Sequence, residues 1–191
     1  MASFSTMLSS LSFFESLFSL DEKISIEVQE KGCPCRGCLH QANYPREARG
    51  VPEKAADLFE YRFSFCCDQE NCRKRRTPPS VRFLGRRRFF FALVLLASVL
   101  TNGVNARRQA QLQDLVPVSD VTLRRWRKWW QEEFIDTPVW HKLRGSFVPA
   151  ILPGQLPAEL LSRSTHVEPG PRVITILSQL SPLSTTSCDR F

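Results

Sequence analysis

Two groups of three cysteines place the strongest constraint on how this chain can fold. The first group contains Cys35 and Cys38 in a C-x2-C spacing, and the second contains Cys67 and Cys72 in a C-x4-C spacing. Two such pairs can close a tetrahedral site of four thiolates around one zinc ion, provided that the two segments meet in space. The spacing therefore predicts a zinc ribbon with these four cysteines as metal ligands and zinc as the cofactor.

Other possible ligands lie beside the predicted ones and remain open as alternatives. In the first group Cys33 can replace Cys35. In the second group Cys66 can replace Cys67, and His40 is a further candidate ligand. Disulfides are the competing interpretation. We expect reduced thiols, because the amino-terminal segment lacks the positive region of a secretory signal and the cytoplasm keeps cysteines reduced.

A wholly uncharged segment follows the second cysteine group. Phe89–Leu100, "FFFALVLLASVL", is apolar apart from Ser98. A helix of this length covers about 18 Å, whereas the hydrocarbon core of a membrane is about 30 Å thick. The segment therefore predicts a buried core helix, and a membrane span is the less favoured interpretation.

An amphipathic helix is predicted after the apolar segment. Ser119 is a good N-cap for a helix that continues to about Phe134. One face of this helix carries Leu123, Trp126, Trp130 and Phe134, and the opposite face carries Arg124, Arg125 and Lys128. Together with a short helix predicted at 106–115, this arrangement predicts a helix-turn-helix whose recognition helix presents a row of cations.

Positive charge is concentrated in the middle of the chain. The whole chain has a net charge of +7, but in the window 73–128 arginine and lysine face only Asp114 and Asp120. Arginine greatly outnumbers lysine there, and its planar fork suits phosphate oxygens and guanine edges. We therefore expect DNA as the partner. The predicted DNA-binding residues are Arg73, Lys74, Arg75, Arg76, Arg86, Arg87, Arg88, Arg124, Arg125 and Lys128.

No residue pattern in the chain indicates catalysis. Metal-dependent nucleases need two or three converging carboxylates, and the basic window offers only Asp114 and Asp120. The histidines His40, His141 and His166 are each isolated, and no glycine-rich phosphate loop is present. The sequence therefore predicts a protein that is not an enzyme and has no small-molecule substrate.

Three stretches carry a family resemblance: 38–50 (CLHQANYPREARG), 62–87 (RFSFCCDQENCRKRRTPPSVRFLGRR) and 121–130 (VTLRRWRKWW). They resemble a family of short, uncharacterised bacterial proteins associated with mobile elements, the transposase-like zinc-ribbon/helix-turn-helix proteins. The resemblance implies a role as an accessory or regulatory protein of a mobile element, with a transposase or a second copy of the chain as further partners.

The predicted fold class is mainly α, with a small zinc ribbon of short β elements followed by a helix-turn-helix-type domain. Residues 1–30 are a leader that is either mobile or an amphipathic helix, and 31–80 form the zinc-ribbon-like module. Residues 81–136 form the helical DNA-binding domain. Residues 137–191 form a proline-punctuated extension with short helices, which covers the core helix or forms a dimer or partner surface.

The predicted function is a zinc-stabilised DNA-binding protein of the cytoplasm. Two alternatives stay open. One is a zinc-scaffolded protein-interaction module without sequence-specific DNA binding. The other is a membrane-associated protein that uses the apolar segment 89–100.

Overall fold

The computed structural model of the chain describes residues 2–85, 88–101 and 118–185. The described residues are mainly helical, as predicted, with a few short strands. The helices are α1 (Ala2–Leu8), α2 (Leu11–Lys31), α3 (Phe91–Thr101), α4 (Asp120–Lys128), α5 (Pro138–Leu143), α6 (Ala158–Ser162) and α7 (Pro169–Leu180). The strands are β1 (Leu39–Gln41), β2 (Tyr44–Pro45), β3 (Tyr61–Arg62), β4 (Phe65–Cys67) and β5 (Arg75–Arg76). Short 3-10 helices cover Glu53–Phe59, Phe134–Asp136, Arg144–Ser146, Pro153–Gln155 and Ser181–Ser184.

The strands form two small antiparallel sheets. In the first sheet β4 lies between β1 and β5, and the register sets Leu39 opposite Cys67. The second sheet pairs β2 with β3. Leu39 and Phe65 pack with Cys33 and Cys67 in a small core of their own, next to the cysteines. The sheets thus bring the two cysteine groups into one module.

Helix α2 belongs to the body of the protein. Phe13, Phe14 and Leu17 are buried in the main hydrophobic core, whereas Leu11 is 39% exposed. Of the two alternatives for residues 1–30, the structure therefore has the packed helix. The helix extends one residue past the predicted leader, to Lys31, and ends at Gly32, whose φ of 67° suits glycine.

Helix α3 is a core helix, as the length of the apolar segment predicted. From Phe91 to Ala97 every residue is at most 1% exposed, so the helix is buried on all sides. Within it, Ser98 donates its hydroxyl proton to the backbone carbonyl of Val94 at 2.7 Å. Among the described residues, no helix is long and apolar enough to cross a membrane.

Helix α4 has the two faces that the sequence predicted. The Ser119 side chain accepts a hydrogen bond from the Thr122 N–H at 3.3 Å and caps the helix. The predicted apolar face is buried, at 5% exposure or less for Leu123, Trp126, Trp130 and Phe134. The α-helix ends at Lys128 and a π-helical turn, Trp129–Glu133, carries the chain on to Phe134. The helix predicted at 106–115 lies outside the described residues, so the helix-turn-helix remains a prediction.

The carboxyl-terminal segment packs against the core helix. Helices α6 and α7 lie in this segment, for which the sequence predicted short helices. Val173, Ile176, Leu177 and Leu180 of α7 are buried in the main core, and α7 contacts both α1 and α3. The apolar face of α7 therefore covers the core.

A buried ion pair joins α2 to the segment before α3. The Arg82 Nε lies 2.8 Å from the Asp21 Oδ2, and both side chains are at most 1% exposed. Asp21 also accepts hydrogen bonds from the Ser80 hydroxyl at 2.6 Å and from the Val81 N–H at 2.7 Å. The Arg82 guanidinium stacks near the rings of Phe18, Phe59, Phe63 and Phe83, at 4.7 to 5.6 Å from their centroids. Arg82 is thus a structural residue, although it lies within the basic window of the sequence.

Candidate metal centre

Four cysteines from both groups meet at one point. The sulfur atoms of Cys33, Cys35, Cys67 and Cys72 all lie within 4.8 Å of one another. The Cys33 and Cys72 sulfurs are 3.7 Å apart, and the Cys35 and Cys67 sulfurs are 3.4 Å apart. A tetrahedral site with metal–sulfur bonds of about 2.3 Å requires sulfur–sulfur distances of about 3.8 Å. We call this group the four-cysteine centre. Its dimensions fit a metal ion, and its cysteines are free thiols.

The first loop supplies two ligands because it turns tightly after α2. The Arg36 N–H donates to the Cys33 carbonyl at 2.7 Å, and the Cys33 N–H donates to the Gly37 carbonyl at 3.1 Å. This double closure directs the side chains of Cys33 and Cys35 to the same side of the loop.

The second loop begins at the end of β4. The N–H groups of Cys72 and Arg73 both donate to the Gln69 carbonyl, at 2.9 and 3.0 Å, so the chain reverses between the two ligands. The Cys67 N–H donates to the Lys74 carbonyl at 3.1 Å and holds the outgoing strand beside β4. Cys67 at the end of the strand and Cys72 in the turn thereby place their sulfur atoms close together.

In the structure Cys33, rather than the predicted Cys38, joins Cys35 in the four-cysteine centre. Cys38 is exposed and does not belong to the four-cysteine centre, whereas Cys33, which the sequence left as an alternative, does. The reason lies in the backbone, because both the N–H and the carbonyl of Cys38 form hydrogen bonds with Asp68. Its N–H donates to the Asp68 Oδ1 at 2.9 Å, and its carbonyl accepts from the Asp68 N–H at 3.1 Å.

The two remaining alternative ligands lie outside the centre. Cys66 alternates with Cys67 along β4, so its side chain lies on the opposite face of the strand. Its thiol donates to the Arg73 carbonyl at 3.5 Å. His40 is exposed on β1, with its Nε2 at 3.9 Å from the Asp68 Oδ2.

Backbone amides tune the thiols of the four-cysteine centre. The Cys35 N–H bonds to the Cys33 sulfur and lowers the pKa of Cys33 to about 6. Burial, together with the neighbouring Cys35 and Cys33 sulfurs, raises the pKa of Cys67 to about 12. Thiolates this close repel one another, so full ionisation needs a compensating positive charge. A divalent metal ion provides that charge.

The predicted DNA-binding residues fall into distinct environments. Arg124, Arg125 and Lys128 are exposed on the outer face of α4, with the Lys128 Nζ at 3.6 Å from a Glu132 carboxylate oxygen. Arg73, Lys74 and Arg88 are exposed as well, and Arg76 is half-buried. Arg86 and Arg87 lie outside the described residues.

Arg75 has partners inside the protein. Its Nη1 donates to the Ala42 carbonyl at 3.0 Å and to the Ser64 hydroxyl at 3.2 Å, and its guanidinium lies 5.8 Å from the Tyr44 ring centroid. Arg75 therefore holds β5 against the loop after β1, which sequence reasoning did not anticipate.

Sequence reasoning also missed the buried Asp21–Arg82 pair. The sequence indicates that the Asp21 carboxylate is buried, because Asp21 lies seven residues after Phe14 and four after Leu17, on the same apolar face of α2. A carboxylate on a buried face requires a cationic or hydrogen-bonding partner.

Gly37 is required for the first loop to approach the second. A β-carbon at this position would lie 2.6 Å from the Cys67 sulfur, 2.7 Å from the Asp68 Oδ1 and 2.5 Å from the Gln69 Cγ. We therefore expect Gly37→Ala to weaken metal binding by about 10–100-fold, the range seen when the shell around metal ligands is disturbed. Competition with a chromophoric chelator measures this change.

Gly145→Ala is the matched control for Gly37→Ala. A β-carbon at Gly145 would meet nothing within 4 Å, so its metal affinity should equal that of the wild type. Equal affinity of the Gly37→Ala protein and the control would contradict the close approach of the two loops.

Comparison of the chain with family models, curated proteins and solved structures finds no match. Functional conclusions therefore depend on the chemistry of the four-cysteine centre and of the exposed cations.

Proposed function

We propose that this protein is a zinc-stabilised DNA-binding protein, an accessory or regulatory protein of a mobile element without a catalytic centre of its own. Zinc would hold the cysteine module together, and α4 would present its cationic face to DNA. The mobile-element role comes from the family resemblance of the three sequence stretches. We place the protein in the cytoplasm, where a reducing environment keeps the thiols available for metal.

The ligand set supports zinc as the metal. Four thiolates without an oxygen ligand suit zinc, and a closed tetrahedral set is typical of structural sites. Amide protons from Cys35 and Gly37 point at ligand sulfurs, as expected for a shell that orients thiolates around a metal. Cysteine-only sites also hold iron, so elemental analysis of protein purified without chelators decides between the two metals.

The arrangement of α4 carries the DNA-binding part of the proposal. Leu123, Trp126 and Trp130 anchor one side of the helix in the core, so the opposite side is held in a fixed orientation towards solvent. Arg124, Arg125 and Lys128 occupy that side. A rigid helix with a cationic outer face can enter the major groove, where arginine recognises guanine and lysine contacts phosphate.

DNA binding by the wild-type protein should weaken steeply with salt. Each neutralised phosphate contributes about −0.9 to the slope of log affinity against log salt. We expect Arg124→Ala or Arg125→Ala to reduce binding to a preferred site by about 1–3 kcal/mol, the usual range for a bidentate arginine–guanine contact. Binding to random DNA should fall less. Sequence selection from a random library followed by fluorescence anisotropy measures both.

Lys23→Ala removes an exposed cation from α2 and serves as the control for charge alone. Its affinity for the preferred site should match that of the wild type. If the wild-type protein binds all sequences equally and the arginine variants bind as the wild type does, the recognition role of α4 is wrong.

A further inference from the structure

An arginine directly follows one metal ligand in each loop of the four-cysteine centre. Arg36 follows Cys35, and Arg73 follows Cys72. Both arginines are exposed. Arg73 is among the predicted DNA-binding residues, whereas Arg36 lies outside the basic window 73–128.

Both arginines occupy a backbone conformation that suits glycine. The φ angle is 68° at Arg36 and 44° at Arg73, and these are the non-glycine residues with positive φ in the described part of the chain. The β-carbon of an L-residue makes this region unfavourable, and large side chains are uncommon there. A long cationic side chain at such a position therefore points to a use of the side chain itself.

Other arginines of this region contact groups inside the protein. Arg46 bonds to the Gly85 carbonyl and lies 5.1 Å from the Phe83 ring centroid. Arg75 bonds to the Ala42 carbonyl, and Arg82 bonds to the Leu58 carbonyl. By contrast, the side chains of Arg36, Arg73 and Lys74 make no hydrogen bond or ion pair with any residue that the structure describes. Their charges face solvent and are available to an external anion.

Both arginines follow cysteines whose sulfur atoms lie close together. The sulfurs of Cys35 and Cys72 lie within 4.8 Å of each other, so the residues that follow them both begin beside the four-cysteine centre. Two flexible guanidinium groups that begin this close together can contact neighbouring phosphates of one DNA strand.

We propose that Arg36 and Arg73, with Lys74 beside them, form a phosphate-binding surface for DNA at the rim of the four-cysteine centre. This inference rests on the proposed DNA-binding function and adds a second contact, separate from α4. Contacts to phosphate fix the position of a protein on the duplex, whereas contacts to base edges determine sequence. The metal module would thus position the protein, and α4 would recognise the bases.

A competing explanation is that the arginines balance the charge of the metal centre. A divalent ion with four thiolates carries a net negative charge, which nearby cations stabilise. In that case the arginines would contribute to metal affinity and have no effect on DNA binding. The two explanations predict different results for the same variants.

The test uses the full chain with metal in excess and the variants Arg36→Gly and Arg73→Gly. Glycine removes the guanidinium and relaxes the positive φ, so both variants should fold at least as stably as the wild type. We expect each variant to reduce the magnitude of the salt slope by about 0.9, by the same amount on preferred and random DNA. Metal affinity, measured by chelator competition, should stay within a factor of about three of the wild type. Arg36→Lys retains the charge and should retain the slope.

Two results would overturn this inference while leaving DNA binding by α4 in place. One is an unchanged salt slope in both glycine variants when Arg124→Ala still weakens binding to the preferred site. The other is a loss of metal affinity with an unchanged slope, which would assign the arginines to the metal centre. Absence of DNA binding by the wild-type protein would instead overturn the proposed function, and the phosphate surface with it.

Discussion

Replacing Cys33 by serine is expected to remove bound metal from the protein, whereas replacing Cys38 by serine should leave one metal ion per chain. The Cys33 sulfur lies 3.7 Å from that of Cys72 within the four-cysteine centre, and Cys38 lies outside the centre. A hydroxyl is a poor ligand for a site built of thiolates, so Cys33→Ser leaves three ligands and an open position. We expect its metal content after dialysis against a mild chelator to fall below about a tenth of the wild-type value.

The two variants form a matched pair, because both replace one sulfur by one oxygen in the same loop. A second pair, Cys67→Ser and Cys66→Ser, applies the same comparison to the other loop, where Cys66 bonds to the Arg73 carbonyl. Elemental analysis gives metal per chain, and free-thiol titration confirms that the remaining cysteines are reduced. Loss of metal from Cys38→Ser with retention in Cys33→Ser would show that Cys38 is the ligand, as the C-x2-C spacing suggested.

Local patterns in the sequence predicted the helical part of the fold. The apolar face of α4 follows from a spacing of three and four residues, which fixes the side chains on one side of any α-helix. The burial of α3 follows from the length of its segment and its lack of charge, since twelve uncharged, mostly apolar residues are too few to cross a membrane and too hydrophobic for a surface. Both properties depend on neighbouring residues, so no knowledge of the tertiary structure was needed.

The choice between Cys33 and Cys38 depends on contacts that spacing does not contain. Three ligands of the centre were among the predicted four, because two cysteine groups this far apart converge only in a few ways. The fourth is decided by where α2 ends, by the close approach at Gly37 and by the bonds between Cys38 and Asp68. These are long-range packing features.

The role of Arg82 was hidden for a similar reason. In the sequence it lies among surface cations, and only its partner on α2, 61 residues earlier, makes it a buried residue. The same partner explains why residues 1–30 are part of the body. The amphipathic helix predicted within residues 1–30 rested on its apolar face alone, whereas in the structure its buried Asp21 carboxylate also binds the segment before α3.

Breaking the Asp21–Arg82 pair is expected to lower the free energy of unfolding more than any other replacement of a charged side chain among the described residues. Asp21→Ala would leave the Arg82 guanidinium buried without its counter-charge, and the Ser80 hydroxyl and Val81 N–H without their acceptor. Removing one partner of a buried ion pair costs about 3–5 kcal/mol. Chemical denaturation of the metal-loaded protein, with metal held constant, measures the change in the free energy of unfolding.

Glu22→Ala is the matched control, since Glu22 is the next residue on α2 and is exposed. It should change the free energy of unfolding by less than about 0.5 kcal/mol.

A double variant, Asp21→Leu with Arg82→Met, separates the pair from its surroundings. Replacing both ions by apolar residues of similar size removes the unpaired charge, and such replacements are often neutral or stabilising. We therefore expect the double variant to be more stable than Asp21→Ala, despite carrying one more substitution. A double variant less stable than Asp21→Ala would mean that the hydrogen bonds of Arg82 to the Leu58 and Tyr61 carbonyls, rather than its pairing with Asp21, hold this part of the core together.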